Sequence, residues 1–95
     1  MRGRSAAAIG PAVLARLPLR AIEAVVFHER DEITTDLICC DVEAQGRVLT
    51  FHEEMQGWQA LIVHLAALPG FRDDWYEAVV GPPFDARRTV AFERR

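Results

Sequence analysis

The sequence predicts an α+β fold: an antiparallel sheet of three or four strands covered by one amphipathic helix, with one short helix beside it. Three observations carry this. Residues 35–44 and 47–53 alternate apolar and polar side chains about Gln45-Gly46. Trp58, Leu61, Ile62, Leu65 and Leu68 recur at helical spacing. Arg88 to Glu93 again alternates, with Val90 and Phe92 set against Thr89 and Ala91. Periods of two and of about 3.6 residues belong to strands and helices respectively.

Leu17-Pro18 opens the ordered part, and residues 19–29 read as the first strand, because Val25, Val26 and Phe27 favour β structure. Strict alternation places Ile22, Ala24 and Val26 on one face, with Val25 and Phe27 on the other. Glu29 to Glu32 reads as a charged turn or a long hairpin tip. In the hairpin, Gly46 supplies the positive φ of a two-residue turn. Ala44 then pairs with Arg47, Val42 with Leu49 and Cys40 with Phe51. Ile38, Cys40, Val42, Leu49 and Phe51 share the face turned to the helix. A slip by one residue would bury the acids, so the pattern selects its own register.

The helix is expected from Met55 to Leu68, with Glu53 and Glu54 at its positive end and Pro69-Gly70 ending it. Asp74 to Glu77 has the spacing of a capping box, which predicts a short helix over 74–80. Trp58, Phe71, Trp75 and Tyr76 read as core rather than as a ligand pocket. Residues 1–16 are expected to be a loosely ordered, dispensable segment, with 17–95 as a single domain. The basic start and short apolar run of that segment have the flavour of an export signal, but Gly10-Pro11 breaks it and Arg16 follows.

Composition bounds the function. Of 95 residues, 51% are hydrophobic, enough for a core without disulfides or metal. No apolar run is long enough to span a bilayer. All eleven basic residues are Arg, with no Lys and no Asn, a pattern that fits a GC-rich bacterial genome. The net charge of −3 lacks the footprint of a nucleic-acid binder. Adjacent Cys39 and Cys40 point to opposite faces of a strand, which argues against a secreted disulfide framework and for the cytoplasm. Residues 29–54 carry eight acids and two arginines, and residues 87–95 four arginines and one acid. The basic C-terminal strand is therefore expected beside the acidic hairpin.

Two function classes follow. The first is a non-enzymatic binding or regulatory module acting through a protein partner or a homodimer, with no cofactor and no evident small-molecule ligand. Its expected contact is the poorly solvated helix face of Ala60, Val63, His64 and Ala67, or the edge strand that begins at Arg88. The second is a small metal-binding protein or thiol enzyme. The register sets Cys39 opposite His52 on the outer face, with Asp41 diagonal to it and His28 within reach of a neighbouring strand. Zinc accepts such ligands, and a Cys–His pair can serve as nucleophile and base. Gly-rich phosphate loops and serine-nucleophile motifs are missing from the sequence.

Leu19 to Phe71, through Gly57, Trp58, Leu61, Leu65 and Pro69-Gly70-Phe71, resembles the C-terminal half of small bacterial PH-like domains. That resemblance implies a strand meander closed by a helix and a binding or scaffold role, here without a basic lipid-headgroup cluster.

Overall fold

The computed structural model describes residues 8–31, 36–80 and 88–94. The fold is α+β. Helix α1 (Pro11–Ala15) and a 3-10 turn (Leu19–Ala21) lead into β1 (Ile22–Asp31). Strands β2 (Asp36–Ala44) and β3 (Arg47–His52) form the hairpin. Helices α2 (Trp58–Ala66) and α3 (Trp75–Val79) precede β4 (Arg88–Glu93). The four strands form one antiparallel sheet in the order β3-β2-β1-β4.

The hairpin has the register its pattern demands. Ala44 pairs with Arg47, Val42 with Leu49, Cys40 with Phe51 and Cys39 with His52. Gln45 and Gly46 both take positive φ, 56° and 77°, as a type I′ turn requires. Gln45 adopts the left-handed region without the help of an Asn or Asp side chain.

In β1 strict alternation fails. The pairing with β2 shifts between Ile22 and Ala24, so one extra residue bulges out. A bulge reverses the facing of what precedes it. Ile22 therefore joins Val25 and Phe27 on the covered face, and all three are fully buried. Phe27 is the hub of an aromatic cluster. Trp75 stacks on it, while Trp58 and Phe71 meet it edge-on with centroids 6.3 and 6.4 Å away. These rings are core.

Helix α2 begins three residues later than the spacing predicts. Two turns precede it, with Met55 N–H donating to the His52 carbonyl and Trp58 N–H to that of Met55. Gly57 then caps the helix in the left-handed conformation. Glu53 is consequently not a first-turn acid; its Oε2 accepts from the Ile38 amide at 3.1 Å. Trp58, Leu61, Leu65 and Leu68 are buried as their spacing predicts, and Ile62 packs half-buried against them. The capping box at Asp74 does not form. The Asp74 side chain takes the Arg72 guanidinium instead, at 2.6 Å.

Of the N-terminal segment, residues 8–16 are described, and Ile9 anchors them to the domain. Ile9 is buried, its amide donates to the Gln56 carbonyl at 2.7 Å, and Val13 and Leu14 rest on the core. The proline that was expected to interrupt a helix sits at the start of α1, where its missing N–H is harmless. Strand β4 lies beside β1, at the opposite edge of the sheet from the acidic hairpin. Its basic follower, Arg94, donates to the carbonyls of Ile22 and Leu19 at 3.0 and 2.9 Å. Main-chain dipoles, not the hairpin carboxylates, hold this guanidinium.

Candidate functional site

All the helices with buried residues lie over one face of the sheet, so the other face has a row of chemistry-bearing side chains. Cross-strand pairing aligns Arg88, His28, Cys39 and His52 across β4, β1, β2 and β3. Asp41 lies one step along β2. The sheet thus brings together the residues expected for a metal or thiol site, His28 among them.

Their polar atoms do not converge. His28 Nε2 lies 3.3 Å from Asp41 Oδ2 without hydrogen-bond alignment. Asp41 Oδ1 accepts from the Thr50 hydroxyl at 2.7 Å. His52 Nδ1 accepts from the Glu54 amide at 3.3 Å. The Cys39 thiol turns toward the Leu37 carbonyl. Cys39 is 1% exposed, which keeps a substrate from its sulfur. Among the described residues, no three His, Cys, Asp or Glu side chains gather as a metal-binding group.

The expected helix contact divides. Ala60, Val63 and Ala67 are exposed on α2, Val63 by 71%. His64 is half-buried, and its Nε2 donates to the Leu17 carbonyl at 2.7 Å. That bond ties α2 to the chain leaving α1. Arg88 is exposed at the start of β4.

The two sheet edges differ. On β4, the Arg72 amide donates to the Ala91 carbonyl at 2.8 Å, and the pairing with β1 is bulged. A loop and a bulge thus protect that edge. On β3, hydrogen-bonding phase decides which groups face outward. The closing pair of a two-residue hairpin bonds inward, and inward pairs alternate along the ladder. Arg47, Leu49 and Phe51 therefore bond to β2. The Glu53 amide continues the phase by donating to the Ile38 carbonyl. Val48, Thr50 and His52 point their amides and carbonyls away from the sheet. The turn after β3 satisfies His52, through Met55 Sδ and the Met55 amide. Val48 and Thr50 receive no such cover from described residues, and both are exposed. Strand order was needed to see this edge, and sequence pattern alone does not supply strand order.

No helix among the described residues is long and apolar enough to cross a membrane. Comparison with protein-family models, with curated proteins and with solved structures finds no match to this chain.

Proposed function

We propose that this protein is a non-enzymatic association module that pairs through the β3 edge, most simply with a second copy of itself. The observation that carries the reading is the asymmetry of the edges: β4 is capped and bulged, whereas Val48 and Thr50 present four outward main-chain groups. Proteins guard such edges with Lys, Pro or inward charge. Arg47 to His52 has none of these between its ends. The strand is also self-complementary. Antiparallel pairing about a two-fold axis at Leu49 sets Val48 opposite Thr50 of the partner and forms four hydrogen bonds. The even register keeps like faces together, so each copy's helices lie on the same side of one eight-stranded sheet.

Sedimentation equilibrium of the full chain tests this. The wild type should associate as a dimer at micromolar concentration. Val48→Pro removes an outward donor, a change that edge strands tolerate, and should give a folded monomer. Val48→Lys should do the same by charging the edge. Val63→Lys, on α2, should leave the dimer intact. A wild-type monomer at 100-fold higher concentration, or a dimer lost only in Val63→Lys, would remove the support for β3.

A further inference from the structure

The helix layer does not fully cover the sheet. Leu49 belongs to the covered face by register, yet it is 38% exposed. Between α1 with its following turn and the tip of the β2–β3 hairpin lies a groove of about 510 Å³. This is within the size range of small-molecule sites, roughly 300–1,000 Å³. Val13, Leu17, Leu49 and Phe51 supply apolar walls, and Arg16 and Arg47 also line it. Both arginines are exposed, and neither forms an ion pair with a described residue. In a chain of net charge −3, two uncommitted guanidiniums on one apolar groove form a local cationic site.

We propose that this groove binds an amphipathic carboxylate, with its aliphatic chain against Leu17, Leu49 and Phe51 and its head between Arg16 and Arg47. The guanidinium fork matches a carboxylate geometrically. Removing the chain from water supplies the remaining affinity. The site borders the β3 edge but uses other groups: pairing takes the main chain of Val48 and Thr50, whereas the groove takes the covered-face side chains of Arg47, Leu49 and Phe51 with Arg16 and Leu17 after α1.

Calorimetric titration of the full chain with decanoate, below its micellar range, tests the proposal, with decanol as the uncharged probe. One decanoate per chain should bind saturably and raise the melting temperature. Arg16→Gln and Arg47→Gln should each weaken binding about tenfold while leaving the unliganded melting temperature unchanged. Leu49→Trp should fill the groove and abolish binding in a protein that still melts cooperatively. The absence of saturable heat at millimolar decanoate would overturn the proposal. Equal binding of decanol, or indifference to both Arg substitutions, would do the same. Binding by dilute monomer that disappears on dimerisation would show that a second copy fills the groove, and would also overturn it.

Discussion

The carbonyl of Ile9 occupies the place that a Cβ on Gly57 would need. The N-terminal segment thus locks onto the start of α2 through a position that only glycine fills. Gly57 also has φ of +95°, where a side chain is strained whatever the space.

Gly57→Ala should therefore cost about 2–4 kcal/mol, more than a typical surface substitution. Ile9→Ala should cost about 2–5 kcal/mol through its cavity, although Ile9 lies in a segment whose sequence reads as dispensable. Chemical denaturation of both variants checks this. Wild-type stability in Ile9→Ala would mean that the segment merely rests on the surface.

The stacking of Trp75 on Phe27, with centroids 3.9 Å apart and planes 11° from parallel, connects α3 to the sheet. Trp75 is half-buried, so Trp75→Ala should cost about 2–3 kcal/mol, part of it from the lost stack. Trp75→Phe keeps an aromatic face and should cost less than about 1.5 kcal/mol. Urea unfolding of the two variants measures the difference. Equal losses would show that ring stacking contributes nothing beyond area.

The bulge in β1 makes a sharper claim, because it exchanges which residue is core. Ile22→Asp should prevent folding, since it buries an unpaired charge. Ala24→Asp, on the half-open face, should fold and lose about 1 kcal/mol or less. Circular dichroism and thermal melts distinguish them. Under strict alternation from Phe27, the two variants would behave alike.

What was legible in the sequence follows from range. The hairpin register is a local property: Gln45-Gly46 sets the turn, and alternation on both sides permits one pairing. The α2 stripe is equally local. Its start was not, because the double turn depends on Met55 reaching back to His52 and on Glu53 being spent at Ile38. Ile9 carries no periodic signal and is buried by contacts made far along the chain. Strand order is longer-range still. It alone decides that β4 is guarded and β3 is not, and that the basic C-terminal strand lies away from the acidic hairpin. The Cys39, His52 and Asp41 neighbourhood was legible from register, but register gives adjacency and not the direction of polar atoms. Those atoms bond to Leu37, Glu54 and Thr50 instead of to a common point.

The last prediction concerns pH. Burial, and then the charges of Asp41 and Cys39, push the Cys40 thiol far above its ordinary value of 9.0. Cys40 sits on the covered face opposite Phe27 and Phe51 with no exposure, so its thiolate has no water to meet. The sign of the effect follows from proton counting. Below about pH 9 both states hold the proton, and the Cys40 contribution is constant. Above it the unfolded chain releases the proton while the folded chain keeps it. The unfolded state then binds fewer protons, and stability falls as pH rises, by ~1.4 kcal/mol per pH unit from this group. Denaturation midpoints of the wild type between about pH 8 and 10 should show this decline. Cys40→Ala should be less stable at pH 8, from the lost packing, yet its stability should decline less steeply with pH. Parallel pH profiles for the two proteins would mean that the Cys40 sulfur reaches solvent, which would contradict the register that buries it.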